Sequence, residues 1–311
     1  MKSQITDTIM MIRPKHFGYN EETAANNTFQ NLDVNRPAAE ISKQAISEFD
    51  QMVSILREAG VMVEVVEDED HPAKPDSVFP NNWISFHQDG KVITYPMFSK
   101  VRRLERREDI VEKLAEKYNL ERRYSFEYYE EEGLYLEGTG SMVLDRPNAI
   151  VYACRSARTD VHILDKWSIL NDYRAVIFDA EDRKQVPIYH TNVLMALGEN
   201  FVVICMEAIM GESDRKKLIQ LFNQTEKEMI EISFDQMEKF AGNMLQVKGT
   251  NGSFLVMSTQ AYQSLNENQI NRLSSKTQIL HSDIKTIETF GGGSVRCMMA
   301  EVFYPGLKNI G

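Results

Sequence analysis

The chain has 311 residues, 42% of them apolar, and sets 35 Lys plus Arg against 46 Asp plus Glu for a formal net charge of −11. This composition supplies a sizeable core and excludes a disordered chain, while the acidic balance argues against nucleic acid or an anionic membrane as partner, because both want a basic face. Cys154, Cys205 and Cys297 lie far apart without a CxxC, which argues against a disulfide framework and a structural zinc site. The polar start Met1–Asp7 lacks a signal-peptide core, and the apolar runs are strand-sized, so a soluble, cytoplasmic globular protein is expected.

In chain order, Thr8–Ile12 reads as a strand with no neighbouring partner, and a long loop, Pro14–Arg36, follows. Pro37–Ala59 is predicted helical, with Ile41, Ala45, Ile46, Phe49, Val53 and Leu56 at helical spacing and a stop at Gly60. Trp83–His87 and Val92–Tyr95 flank Asp89-Gly90, a hairpin signal, and Arg103–Tyr118 reads as a charged amphipathic helix. Ser141–Leu144 and Ile150–Ala153 flank Arg146-Pro147-Asn148, followed by a helix over Asp160–Asp172. Val193–Leu197 and Phe201–Cys205 flank Gly198-Glu199-Asn200, with helices over Asp214–Lys227 and Phe234–Ala241. Leu245–Lys248 and Phe254–Met257 flank Thr250-Asn251-Gly252, with a helix over Ala261–Ser275. Gly291-Gly292-Gly293 precedes a last strand, Ser294–Phe303, whose hairpin partner is missing.

This alternation indicates an α/β class. The hairpin turns recur at Gly90, Asn148, Glu199 and Asn251, a period of about 50–60 residues that marks a ring-like array. The economical reading is one α/β-propeller domain over residues 1–311, with five ββαβ units in pseudo-fivefold symmetry and the fifth closed by both chain ends. An ordinary open α/β sheet with hairpins explains the alternation but not the spacing. In a ring, the turns before the hairpins converge at one end of the axis: Asn81-Asn82, Gly138-Thr139-Gly140, Thr191-Asn192, Gly242-Asn243 and the glycine run. They collect Asn81, Asn82, Glu137, His190, Asn192 and Cys297.

Among the cysteines, Cys205 in Phe-Val-Val-Ile-Cys-Met and Cys154 in Val-Tyr-Ala-Cys-Arg read as core thiols. Cys297 follows three glycines, whose amides are free to face an oxyanion, and Arg296 is expected to add a positive field. This setting favours a nucleophile over a buried strand cysteine. His190 stands apart from the other histidines because it sits at a converging turn, and with Asn192 at i, i+2 it shares one face of an extended segment. A general acid/base fits better than a core histidine. Glu137 can orient that imidazole or bind a substrate N–H. Arginines near the hairpins, Arg102, Arg103, Arg155 and Arg158, would suit a carboxylate-bearing substrate. No P-loop, dinucleotide fingerprint, HExxH or GxSxG is present.

The ring of five units, the Glu-Gly turn, the His-x-Asn segment and Gly-Gly-Gly-Ser-Val-Arg-Cys together resemble the guanidine-modifying penteins, over about Ile9 to Pro305. That superfamily includes arginine deiminase, dimethylargininase and the amidinotransferases. Val-Phe-Pro-Asn-Asn-Trp, Ser-Ala-Arg-Thr-Asp, His-Thr-Asn-Val and Ser-Val-Arg-Cys-Met look most like the bacterial citrulline-utilisation hydrolases, which carry the generic name amidinotransferase. The resemblance implies Cys297 as nucleophile, His190 as general acid/base and Glu137 as partner of His190 and of a substrate nitrogen. It implies Asp76 as reader of the α-ammonium, and Arg158 and Arg103 as holders of the α-carboxylate. It implies no metal and no organic cofactor, and a small amino acid as the partner, with homo-oligomerisation left open.

Two departures matter. Arginine deiminases place aspartates where this chain has Asn82 and Asn192. Those aspartates neutralise a guanidinium, whereas an amide can both donate and accept, which a neutral ureido group needs. The expected activity is therefore cysteine-dependent hydrolysis of a ureido or guanidino C–N bond, citrulline giving ornithine, carbon dioxide and ammonia. Amidino transfer, arginine deiminase or dimethylargininase activity, and a non-catalytic binding module are the alternatives. The loop Pro14–Arg36 is expected to close over the substrate.

Overall fold

The computed structural model describes residues 2–24, 27, 29–30 and 36–305. The strands form five sheets of three, and all five share one topology. The first and second strands pair antiparallel, a helical crossover follows, and the third strand lies parallel to the second, as a right-handed βαβ connection would have it.

One sheet joins the chain ends. β1 (Thr8–Arg13) pairs in parallel with β2 (Met62–Glu67) across the helix Ala38–Glu58, in the register Ile9 to Val63. The second sheet holds β3 (Ile84–Phe86), β4 (Lys91–Thr94) and β5 (Arg122–Ser125); the third holds β6 (Val143–Asp145), β7 (Ile150–Cys154) and β8 (Arg174–Phe178). β9 (Met195–Leu197), β10 (Phe201–Ile204) and β11 (Glu228–Glu231) form the fourth, and β12 (Leu245–Gly249), β13 (Gly252–Ser258) and β14 (Gln278–Ser282) the fifth. Finally β15 (Ala300–Glu301) pairs antiparallel with β1, Met10 opposite Ala300. The unpartnered first and last strands of the sequence thus complete each other.

The sheets touch in chain order: the turn Gly138–Ser141 meets β3, β6 meets β9, and β9 meets β12. The helix Ala38–Glu58 meets β14, and β15 meets β3. The apolar core lies between the sheets and their crossover helices. Ala38–Glu58 buries Ile41, Ala45, Phe49, Met52, Val53 and Leu56, and each large side chain so buried contributes about 1.5–3 kcal/mol. Glu48 on the same face is also buried, because its carboxylate accepts the Thr286 and Ile287 N–H groups at 3.0 and 3.1 Å. It thereby fixes the start of the helix Lys285–Gly291, which leads into the glycine run.

Several predicted elements change. Arg103–Tyr118 divides into a 3-10 turn, Arg102–Glu105, and a helix, Glu108–Tyr118. Arg106 and Arg107 are extended between them, held by Glu130 and by the Glu67 carbonyl. Ala261–Ser275 breaks at Leu265, where Asn266 caps a second helix, Glu267–Ser274. Phe234–Ala241 is helical only over Phe234–Met237. The last predicted strand contracts to Ala300–Glu301, and Ser294–Met299 is a turn instead. Among the described residues, no helix is long and apolar enough to cross a membrane.

Candidate active site

The turns before the first strands of the hairpins are short helical segments: Pro80–Asn82, Gly138–Ser141 and Thr191–Leu194. Each places its entering residue at the same place in its unit, so Asn82, Glu137 and His190 meet. Glu137 is wholly buried, with Oε2 2.8 Å from His190 Nε2 and Oε1 accepting the Phe98 N–H at 2.9 Å. Arg158 Nη1 stands 3.5 Å from the same Oε2. Burial favours the neutral acid, yet Arg158, the hydrogen bond and charge of His190, and Arg102 outweigh it and hold Glu137 well below the usual carboxylate range. For His190 burial wins over the Glu137 carboxylate, and its pKa falls to about 4.

At neutral pH the pair is therefore a carboxylate and a neutral imidazole. A carboxylate only accepts, so Nε2–H donates to Glu137 and Nδ1 is left as the acceptor. The Nδ1 edge faces Gly140, where a Cβ would lie 2.8 Å from the ring and 2.4 Å from Asn82 Nδ2. Glycine at 140 is what lets the imidazole and the amide approach each other.

Cys297 lies in the turn after the glycine run, its N–H bonded to the Ser294 carbonyl at 2.9 Å. Its sulfur receives two amide donors: Asn243 Nδ2 at 3.4 Å and Asn192 Nδ2 at 3.6 Å. Asn243 also donates to the Asn192 carbonyl at 2.9 Å and accepts the Arg296 N–H at 3.0 Å. It braces both neighbours of the thiol. Sequence reasoning placed the Gly242-Asn243 turn among the converging turns but did not single out its amide. The signal was available, since it is the fourth unit's counterpart of Asn82 and Asn192.

The remaining thiols differ. Burial pushes Cys154 up to about 12 and Cys205 up to about 11, which keeps both protonated and inert.

Two expectations about this turn are corrected. Arg296 does not lend its charge freely to the thiol: its guanidinium binds Glu301 at 2.9 Å and the Met299 carbonyl at 2.9 Å. The glycine run also works differently from a row of free amides. Gly292 N–H donates to the Glu288 carbonyl at 3.0 Å, and the Gly292 carbonyl accepts Tyr189 Oη at 2.8 Å. Gly292 has φ +62, and a side chain there would strike Asn27 at 2.5 Å. Likewise His190 and Asn192 do not share one extended face. His190 is extended and Asn192 is in the following helical turn, so one reaches Glu137 and the other reaches Cys297.

Asp76, Asn82, Arg102, Arg158, His190 and Cys297 line one cavity of about 20 Å³, room for about one water molecule. Asp76 is buried, with Oδ2 bonded to Asn20 at 2.7 Å and Thr23 at 3.3 Å, and burial raises its pKa. Asp76 Oδ1, Asn82 Nδ2 and Asn192 Oδ1 have no hydrogen-bond partner among the described residues. Buried polar atoms left open in this way are the places where a substrate is read. Arg158 also donates to the Thr23 carbonyl at 3.1 Å and lies over the Tyr189 ring at 4.9 Å.

Arg103 is not brought to this cavity. Its guanidinium turns to Glu130 at 3.2 Å and the Met97 carbonyl at 3.0 Å. Successive residues of a 3-10 turn point about 120° apart, and it is Arg102 that faces inward, bonding Asn82 Oδ1 at 2.8 Å and Glu105 at 2.8 Å.

The described part of Pro14–Arg36 covers the cavity through Asn20 and Thr23, and Glu22 fastens it outside to Ser99 Oγ at 2.7 Å and the Val101 N–H at 3.1 Å. Ala25, Asn26, Thr28 and residues 31–35 of that loop lie outside the described residues.

A family model described as eukaryotic N,N dimethylarginine dimethylhydrolase matches residues 13–304. Among solved structures, the N-terminal domain of ArgZ covalently bound to a reaction intermediate superposes with a TM-score of 0.74 at 18% identity, over 97% of this chain and 99% of that one. ArgZ is an arginine dihydrolase from the ornithine-ammonia cycle in cyanobacteria. AgrE, in a ternary complex with ornithine and NAD+, superposes with a TM-score of 0.74 at 19% identity, over 97% of this chain and 40% of that one. A dimethylarginine dimethylaminohydrolase adduct with 4-chloro-2-hydroxymethylpyridine gives 0.64 at 15% identity, over 96% and 99%. The chain spans only 42% of the longer ArgZ chain. At these identities the likeness to solved structures is one of fold. No curated protein sequence matches the chain.

Proposed function

The chain belongs to the dimethylarginine dimethylhydrolase family of guanidino-modifying penteins, and from that premise we propose that it is a cysteine hydrolase cleaving a C–N bond of a ureido amino acid, citrulline first. The observation that carries this reading is the convergence of Cys297 and the His190–Glu137 pair on a cavity whose other polar groups, Asn82 and Asn192, are neutral amides. The five sheets, alike in topology and in contact around a cycle, are read as one five-unit propeller domain with pseudo-fivefold symmetry.

In the proposed reaction the substrate α-ammonium meets Asp76 Oδ1 and the α-carboxylate meets Arg158, which deepens the cavity by displacing the Asn20–Thr23 cover. Neutral His190 takes the thiol proton as the Cys297 sulfur attacks the ureido carbon. The amide donors of Asn192 and Asn243 suit a sulfur carrying negative charge, and the free Nδ2–H of Asn82 suits the developing oxyanion. The imidazolium, steadied by Glu137, passes its proton to the δ-nitrogen. Ornithine leaves and Cys297 carries a carbamoyl group. Water, deprotonated by His190, then attacks the thioester carbon and restores the thiol. The released carbamic acid falls apart to carbon dioxide and ammonia.

Arginine is the second reading. It is favoured by the likeness to ArgZ, an arginine dihydrolase, and to AgrE. The test is an ammonia-release panel over citrulline, arginine, methylarginines and agmatine, with and without an amine acceptor. Citrulline turnover that disappears in Cys297→Ala supports the proposal. Turnover of arginine alone overturns the argument from the asparagines, and an amine-dependent product would make the protein an amidinotransferase.

A further inference from the structure

A second recess, of about 370 Å³, opens among the tips of two hairpins, the chain start and the segment after β15. His87, Asp89 and Lys91 enter it from the β3–β4 turn, Arg146 from the β6–β7 turn, and Lys2 from the chain start. Tyr173 and Phe303 supply aromatic walls. These turns lie at the ends of the strands opposite Asn82 and Glu137. The five residue steps from Asn82 to His87 alone span roughly 15 Å of extended chain.

The charge of this recess runs against that of the protein. Lys2, Lys91 and Arg146 face Asp89, the one carboxylate lining it among the described residues. Asp89 lies 2.6 Å from Lys91. Asp172 acts on Lys2 from nearby, and Arg146 shares Glu301 with Arg296, at 3.5 and 2.9 Å. The cations are steadied by groups that do not neutralise them. The Arg146 guanidinium stacks on Phe303 at 4.0 Å, and the Lys2 ammonium lies over Tyr173 at 4.4 Å. Asn171 accepts Lys2 through its carbonyl at 3.2 Å and Lys91 through its side chain at 3.4 Å. Burial and the nearby Lys91 hold Lys2 below its ordinary value, against the pull of Asp89 and Asp172. His87 is held well below its own by burial and by Arg146. Cations crowded in a concave, partly apolar site are relieved by an anion.

We propose that this recess is a binding site, separate from the Cys297 cavity, for a small dianion of the dicarboxylate or phosphate class gripped by Lys2, Lys91 and Arg146. A physical path leads from it to the nucleophile. An anion on Arg146 competes with Glu301, Glu301 holds the Arg296 side chain, and the Arg296 N–H sits on Asn243 beside Cys297. Occupancy is therefore expected to alter turnover as well.

The test is calorimetric titration of the full chain with sodium succinate and with sodium phosphate, against sodium chloride at matched ionic strength. Saturable binding of at least one dianion is expected, and which one binds separates the carboxylate from the phosphate class. Binding should weaken by about tenfold or more in Lys2→Gln/Lys91→Gln, because charge-assisted hydrogen bonds are lost, and persist when Cys297 is alkylated. Because Lys91 is buried, Lys2→Glu at the exposed chain start is the second variant and should lose binding likewise. The proposal is overturned if neither dianion binds beyond the chloride control. It is equally overturned if binding is undiminished in the folded lysine variants or is abolished by alkylating Cys297.

Discussion

Replacing Asn243 tests how the site prepares its thiol. The side chain donates to Cys297 Sγ at 3.4 Å and to the Asn192 carbonyl at 2.9 Å, and accepts the Arg296 N–H at 3.0 Å. Asn243→Ala removes all three. If the sulfur becomes negative on the way to the transition state, the lost donor is a hydrogen bond to a charged group, worth ~1.5–3 kcal/mol. That corresponds to a fall of about 10–100-fold in kcat. The buried Arg296 N–H and Asn192 carbonyl are left unpaired as well, and the combined stability loss should be roughly 2–4 kcal/mol. Asn243→Asp separates the two effects. It keeps an acceptor for Arg296 N–H, so less stability is lost, but it sets a carboxylate against the sulfur, so kcat falls further. The assay is initial-rate ammonia release over a range of substrate concentrations, with urea unfolding on the same proteins. The reasoning is refuted if kcat of either variant stays within about twofold of the unmodified enzyme.

Gly140→Ala pushes a methyl into Asn82 Nδ2 and the His190 ring. It should cost about 1–3 kcal/mol of stability through overpacking, and kcat should drop more than KM rises; an unchanged kcat would contradict the close approach. His190 has its pKa lowered to about 4 from an ordinary value of 6.5, so the folded state prefers it neutral. Its contribution to stability is fully present above pH 6.5 and is lost as pH falls from there toward 4, a direction that the low-lying Glu137 reinforces. The acid limb of kcat/KM should accordingly lie near 4, and a limb at 6.5 would show that the imidazole is not desolvated as described. Arg158→Ala should lower kcat/KM by about 10–100-fold while Arg103→Ala changes it by less than about threefold, and the reverse order in steady-state kinetics would restore Arg103 to the site.

The repeat was legible because each hairpin carries its own turn chemistry: Asp89-Gly90 and Asn251-Gly252 mark positions that a two-strand ribbon needs. The third strands were not. Arg122–Ser125 is exposed along its whole length, so no apolar alternation announces it. Cys297, His190 and Glu137 could be found because a ring forces equivalent turns to one end, whatever their distance in sequence. The choice between Arg102 and Arg103 could not be made, since neighbours on a one-turn helix look alike until Glu105 and Glu130 claim one each. The hold of Arg296 on Glu301 escaped for a related reason: it depends on where β15 begins, and the run Ser294–Phe303 reads as one strand until the turn before Ala300 is seen.

The central claim is that the reaction passes through a covalent bond to Cys297. Intact-protein and peptide mass spectrometry on enzyme quenched during citrulline turnover measures this directly. The account predicts a mass increase of one carbamoyl group located on Cys297, present in the steady state and lost once substrate is exhausted. Ammonia release by Cys297→Ala, or an adduct on any residue other than Cys297, would contradict it.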